Sequence, residues 1–117
     1  FYKRLAYDLH FGGIATAEEE GERISQAIGD KNAVMMGNHG VTTLGATVAE
    51  AWDAMYHLER AARTMVLAYS TGRELSVMGD NLAEETASEW ETYRDAEFAH
   101  FAEMKRILDR EEPDYKD

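Results

Sequence analysis

The sequence predicts an α/β protein, because short strand patterns lie between longer helical patterns. Two apolar runs, Ala33–Met36 and Val41–Thr43, flank a cluster rich in Gly and Asn, which is typical of a strand, a tight turn and a second strand. The first run alternates poorly, so a strand buried on both faces is expected. With 117 residues, 44% of them hydrophobic, the chain is expected to form at most one small globular domain.

The N-terminal segment Phe1–Phe11 mixes aromatic and charged side chains and ends at Gly12 and Gly13, which predicts an extended segment followed by a loop. Within it, Asp8 and His10 would share one face of an extended chain and could form an acid/base or metal pair. Because nothing else converges on them, a solvated strand end is the preferred interpretation.

Three helices follow from the periodicity of the apolar residues, and the first two open on a capping box of Thr followed three residues later by Glu. The second helix is the clearest, and Gly72 lies where its C-terminal cap is expected. Asp53 and His57 lie one turn apart on this helix, in a pattern typical of an exposed polar face. The predicted helices are Thr16–Ile28, closed by Gly29, Thr47 to about Tyr69, and a final helix from a cap at Asp80 or Asn81 to about Asp109.

Glu97 and His100 lie three residues apart on the final predicted helix, so a carboxylate and an imidazole share one helix face. Di-iron helix bundles use this spacing, but they need the same motif from a second helix, and the sequence has no second copy. The pair is therefore given no metal role.

His39 lies at the predicted hairpin bend, within Gly37-Asn38-His39-Gly40. Gly40 has no Cβ, so a ligand or another backbone segment could approach the imidazole closely. A zinc site needs three or four donors, and neither His-x-His nor Cys-x-x-Cys occurs nearby. The residues alone leave His39 open between a metal ligand and an ordinary turn histidine.

Charge and composition exclude several classes of function. Twelve basic and 23 acidic residues give a formal net charge of −11, which disfavours nucleic acid as a partner because phosphate binding depends largely on Lys and Arg. The chain has no cysteine, so thiol catalysis and disulfides within it are excluded. No apolar run reaches membrane-spanning length, and a cytoplasmic protein without a membrane partner is expected.

The hairpin and the helix after it carry a resemblance to a known family. Asn38-His39-Gly40 closes an apolar strand, and Thr47–Ala51 then opens a long helix that carries Leu58-Glu59-Arg60-Ala61-Ala62. In these segments the chain resembles the class II aldolase/adducin family, from about residue 1 to 75 and less specifically to the Pro113–Tyr115 end. The resemblance implies a three-layer α/β/α fold with a largely antiparallel central sheet, assembled as a homotetramer.

The same resemblance implies a metal-dependent lyase. Its substrate would be a small carbonyl compound or sugar phosphate, and the reaction would make or cleave a carbon–carbon bond in a ketose phosphate or related hydroxy-ketone, through a metal-stabilised enediolate. His39 occupies the position of the third histidine that holds the catalytic zinc, or another divalent metal. In the family a neighbouring subunit's C-terminal segment can supply a tyrosine proton donor, and Tyr115 corresponds to it.

The family's upstream His-x-His and its catalytic acidic residue have no counterpart in this sequence. We therefore expect residues 1–117 to be the C-terminal portion of one such domain and to be inactive alone. Two alternatives stay open: an adducin-like domain that binds or assembles without chemistry, and a related decarboxylase, epimerase or dehydratase. A purely helical structural fragment is disfavoured by the hairpin.

Overall fold

A three-stranded sheet lies at the N-terminal end of the computed structural model, which describes residues 1–10, 18–93 and 95–116. Strands β1 (Leu5–Asp8), β2 (Ala33–Met36) and β3 (Gly40–Thr43) pair in that order, with β1 parallel and β3 antiparallel to the central β2. The sheet is therefore mixed, and the predicted α/β class and β2–β3 hairpin are confirmed.

Four helices and a short 3₁₀ turn complete the described fold. The sheet strands alternate with helices at first, and the C-terminal half is entirely helical. The 3₁₀ turn places the C-terminal residues against the last helix, where the sequence predicted a polar tail. The elements are α1 (Glu18–Ile28), α2 (Val48–Ser70), α3 (Asp80–Thr92), α4 (Ala96–Glu111) and η1 (Pro113–Lys116).

The core is small and centres on β2. Ala33 and Val34 are fully buried, as expected for a strand covered on both faces. Ile28 from α1 packs on one side of this strand, while Ala49 and Leu58 are the buried positions of α2. Among the described residues these five make up the buried hydrophobic core, so the fold rests on the junction of the sheet with α1 and α2.

Helix α2 begins and ends as its sequence predicts. The Thr47 hydroxyl accepts a hydrogen bond from the Glu50 backbone, and the Glu50 carboxylate accepts one from the Thr47 backbone, which together form the capping box. At the other end Gly72 takes a left-handed conformation with φ of 65° and donates its N–H to Tyr69. The start predicted for the first helix, at Thr16, and the loop at Gly12 and Gly13 lie outside the described residues.

The prediction of one final helix was wrong, because α3 and α4 are separate helices. Helix α3 ends at Thr92, and Asp95, with φ of 69°, precedes α4 in a left-handed conformation. Aspartate tolerates this conformation better than most residues, so the break needs neither Gly nor Pro to mark it. The predicted cap was also displaced, since Gly79 is the N-cap and Asp80 the first residue of α3. In the part of the chain that the structure describes, no helix combines the length and the apolarity needed to span a bilayer.

Candidate functional site

His39 lies at the tip of the β2–β3 hairpin and is exposed. Asn38 enters the left-handed region with φ of 57°, which Asn adopts readily, and the His39 N–H donates to the Met36 carbonyl across the turn at 3.3 Å. The predicted position at a hairpin bend is thus confirmed. The geometry presents the imidazole at the surface of the sheet end.

Strand β1 holds the base of this hairpin. The Gly37 N–H donates to the Asp8 carbonyl at 2.7 Å, and a Cβ at Gly37 would lie only 3.0 Å from the Leu9 carbonyl oxygen. Any larger residue at this position would push β1 away from the turn. On the far end of β3, the Thr43 hydroxyl donates to the Ala51 carbonyl in α2 at 2.8 Å. The His39 turn is therefore fixed by β1 on one side and α2 on the other.

Asp8 is a structural anchor, which corrects the expectation of a solvated strand end. Its side chain is 4% exposed, and Arg23 of α1 donates to its Oδ1 at 2.9 Å. Arg23 lowers the pKa of the Asp8 carboxyl, and burial opposes that effect more weakly. The backbone N–H of His10 donates to Asp8 Oδ1 at 3.1 Å. The described contacts of Asp8 therefore tie α1 to the sheet through Arg23.

Tyr115, the predicted proton donor, lies in the 3₁₀ turn at the end of the described chain and is 44% exposed. Its hydroxyl donates to Asp109 Oδ1 at 2.6 Å, and the same oxygen is 2.6 Å from Lys116 Nζ. The hydrogen bond to Asp109 is the main reason that the pKa of Tyr115 is raised, so its proton is held more tightly than in a free phenol. To protonate a substrate, this hydroxyl has to exchange Asp109 for the new acceptor.

A second group of polar side chains meets between α2 and α4, and we call Asp53, His57 and His100 the Asp–His cluster. One ligand atom from each residue lies within 4.8 Å of those of the other two. His100 Nδ1 is 2.6 Å from Asp53 Oδ1, at the distance of a hydrogen bond donated by the ring, and His57 Nε2 is 3.6 Å from the same oxygen. Asp53 is 14% exposed, so the expectation of an exposed polar face was wrong for this residue.

Aromatic rings surround the Asp–His cluster. The centroids of Trp52 and Tyr56 lie 4.7 Å and 4.6 Å from that of His100, and Trp90 of α3 meets the ring of His57 edge-on at 5.3 Å. On its open side Asp53 and His57 line a cavity of about 900 Å³, which Glu97 also lines. Asp53 and His57 are thus reachable from this cavity, which Trp90 also lines, while Trp52 and Tyr56 cover His100.

The sequence could not identify this cluster, because 47 residues separate Asp53 from His100. Two partial signals were present: Asp53 and His57 share one face of α2, and Glu97 and His100 share one face of α4. Each pair alone is common on solvated helices. Only the packing of α4 against α2 unites them, and neither His39 nor Tyr115 belongs to this group.

The zinc site that the resemblance implies would take His39 as one of its ligands. The imidazole is exposed at a braced turn, which suits a nitrogen donor, and a zinc site requires two or more further donors. Among the described residues, the one grouping of three metal-binding side chains is the Asp–His cluster. His39 would thus supply one donor of the implied site and not the whole of it.

A solved structure has the same fold as this chain. The crystal structure of an aldolase II superfamily protein from Pseudomonas syringae superposes with a TM-score of 0.78 and 30% sequence identity, over 98% of this chain and 46% of that one. The mixed sheet and its helices therefore define a class of protein, an α/β domain of the aldolase II type.

Sequence comparison identifies the family. The profile of the Class II Aldolase and Adducin N-terminal domain matches residues 3–66, which carry the sheet, the hairpin and most of α2. A protein of Caulobacter vibrioides whose name assigns it to aldolase class 2 is 37% identical over 116 residues, which is 97% of this chain and 45% of that protein. A similarly named protein of Pseudomonas aeruginosa is 35% identical over 65 residues, or 56% of this chain and 25% of that protein. The chain belongs to the class II aldolase/adducin family, and it spans about half the length or less of these relatives.

Proposed function

We propose that this chain is the C-terminal portion of a metal-dependent aldolase-type lyase, acting on a small carbonyl compound or sugar phosphate. The observation that carries the proposal is the exposed His39 at a braced hairpin turn, the residue to which the resemblance assigns the family's ligand role. Family membership supports the reaction class. A divalent metal such as zinc would act there as a Lewis acid on substrate oxygens.

The chain's own residues would position that chemistry. His39 would donate one imidazole nitrogen, and the contacts of Gly37 to β1 would keep the turn from moving as the ligand set forms. Tyr115 would donate a proton after its hydroxyl exchanges Asp109 for the substrate, since a phenol is protonated at neutral pH. The remaining ligands and the acid/base group would come from residues beyond this sequence, in a cytoplasmic homotetramer.

Replacement of His39 tests the ligand assignment in the longer protein that we propose contains this chain. We expect His39→Ala to remove the metal needed for turnover, and we expect His10→Ala, another exposed histidine, to leave metal content and turnover unchanged. Elemental analysis and release of aldehyde from a hydroxy-ketone phosphate measure the two effects. Unchanged metal and turnover in His39→Ala would refute the assignment.

Replacement of Tyr115 tests the proton donor separately. A positioned general acid contributes about 10²–10⁴-fold to rate, so Tyr115→Phe should lower kcat by about that factor with metal content unchanged. A kcat equal to that of the unaltered protein would exclude Tyr115 from proton transfer. If the unaltered protein binds metal and cleaves none of the carbonyl substrates, the C–C lyase is excluded. The adducin-like role and the related decarboxylase, epimerase or dehydratase are then the two alternatives to test.

A further inference from the structure

We propose that the Asp–His cluster binds a divalent transition-metal ion, held by Asp53, His57 and His100. This inference goes beyond the proposed lyase, since it uses neither His39 nor Tyr115 and requires no residue outside the described chain. Two imidazoles and one carboxylate are a ligand set that suits Zn²⁺ or Fe²⁺ better than Mg²⁺ or Ca²⁺, which prefer oxygen ligands.

The spacing of the donor atoms is close to that of a metal site. With zinc–ligand bonds of about 2.0–2.2 Å, neighbouring ligand atoms of a tetrahedral site lie about 3.3 Å apart. His57 Nε2 and Asp53 Oδ1 are 3.6 Å apart, and the three ligand atoms all lie within 4.8 Å of one another. Small side-chain rotations would bring them onto one ion. The 2.6 Å contact between His100 Nδ1 and Asp53 would then open, with the ring proton carried on Nε2.

The position of His57 completes the ligand set. The contact of His100 with Asp53 ties α4 to α2 and involves two donors only. His57 lies one turn from Asp53 on the same helix, so helix geometry brings its Nε2 towards the same oxygen. The packing of α4 therefore adds a second imidazole to a carboxylate that already has one beside it, which gives three donors for one ion.

The surroundings favour binding. The side chains of Asp53 and His100 are 14% and 26% exposed, and the rings of Trp52 and Tyr56 limit the water around them, so the carboxylate attracts a cation more strongly than it would at the surface. The cavity lined by Asp53 and His57 gives an ion access to the cluster from solvent. A water molecule from that cavity would fill the fourth position of a tetrahedral site.

Titration of the chain with Zn²⁺ tests the site, by calorimetry near pH 7.5. We expect one Zn²⁺ per chain. In Asp53→Asn and in His57→Gln the Kd should rise more than about 100-fold, because loss of a residue that only hydrogen-bonds to a metal ligand already costs about 10–100-fold in affinity. His10→Ala replaces an exposed histidine outside the cluster, so it is the matched control and should bind Zn²⁺ like the unaltered chain. His39→Ala is measured beside it to detect Zn²⁺ bound at the hairpin instead of at the cluster. Co²⁺ should give the visible absorption of a low-coordinate site, and Mg²⁺ should not compete.

Three results would overturn the proposal. They are the absence of Zn²⁺ binding by the unaltered chain, unchanged affinity in both cluster variants, and loss of binding in His39→Ala alone. Far-ultraviolet circular dichroism establishes that each variant is folded. If Asp53→Asn fails to fold, His57→Gln decides, because His57 is 40% exposed and its replacement leaves the contact between Asp53 and His100 in place.

Discussion

Asp8 has two structural roles at the residue scale. Its backbone carbonyl accepts the Gly37 N–H at the base of the His39 turn, and its buried carboxylate accepts from Arg23. Glu20 shares the same guanidinium, at 2.8 Å from Arg23 Nε. One position in β1 therefore supports both the candidate metal ligand and the attachment of α1.

The pKa shifts around Arg23 predict an acid-sensitive fold. Arg23 lowers the pKa of both Asp8 and Glu20 in the folded chain, so their stabilising contribution is present above the unfolded values near 4 and is lost as the pH falls through the folded values. We expect Asp8→Asn to lower the urea midpoint at pH 7. We also expect the difference from the unaltered chain to shrink below about pH 4.

Urea unfolding followed by circular dichroism between pH 7 and pH 2.5 measures this dependence. Glu22→Gln, at an exposed position of the same helix, is the control and should follow the unaltered chain at every pH. A difference between Asp8→Asn and the unaltered chain that stays constant across the range would contradict the assignment.

The sequence predicted local features of individual residues well and distant ones poorly. The turn at His39 and the cap at Gly72 follow from neighbouring residues, so they could be read directly. The burial of Asp8 could not, because its partner Arg23 lies 15 residues away on another element. Asp53 was assigned to an exposed face for the same reason, since its partner His100 comes from a helix that packs there only in the fold.

At the scale of elements, α2 links the sheet to the helical half. In its first turn the Ala51 carbonyl accepts a hydrogen bond from the Thr43 hydroxyl of β3. In the next turn Trp52 packs against Phe101 of α4, and their ring centroids lie 5.7 Å apart. Both ends of α2 were predicted, because capping chemistry is encoded within four residues. The break before α4 was not, because neither Gly nor Pro marks it in the sequence and Asp95 takes the left-handed conformation itself.

The capping box at Thr47 is expected to stabilise the whole fold, since α2 contacts both halves. Thr47→Ala should lower the free energy of unfolding by about 1 kcal/mol, because two backbone N–H groups lose their partner or their orientation. Thr64→Ala is the control within the same helix. The Thr64 hydroxyl donates to the Arg60 carbonyl at an exposed position. Because alanine has a higher helix propensity than threonine, Thr64→Ala should not lower the free energy of unfolding.

Chemical denaturation at pH 7 measures both variants. If Thr47→Ala is as stable as the unaltered chain, the start of α2 is held by its contacts with β3 and not by the cap.

The whole molecule exposes more surface than a folded monomer of its size. Its accessible area is 9212 Å², whereas a 13.2 kDa monomer is expected to expose about 6,400 Å². The radius of gyration is 16.9 Å, against about 13 Å for a compact chain of this length. Part of the excess lies in the last turns of α2, where the exposed apolar side chains are Met65, Val66, Leu67 and Tyr69.

This surface predicts self-association of the chain. We expect sedimentation velocity to give a mass above 13.2 kDa at micromolar concentration, because burial of these side chains between copies removes apolar area from water. Val66→Lys should shift the distribution towards the monomer. Gln26→Lys adds the same charge on exposed α1 and should leave it unchanged. Sedimentation of the unaltered chain as a 13.2 kDa monomer would contradict the expectation.

The placement of the aromatic rings between the helices has an optical consequence. The chain contains two tryptophans, and each contacts a histidine of the Asp–His cluster, Trp52 with His100 and Trp90 with His57. The tryptophan fluorescence of the chain therefore originates beside this cluster. Binding of a metal ion to either imidazole should therefore change the intensity of tryptophan emission, so binding can be followed without an attached dye.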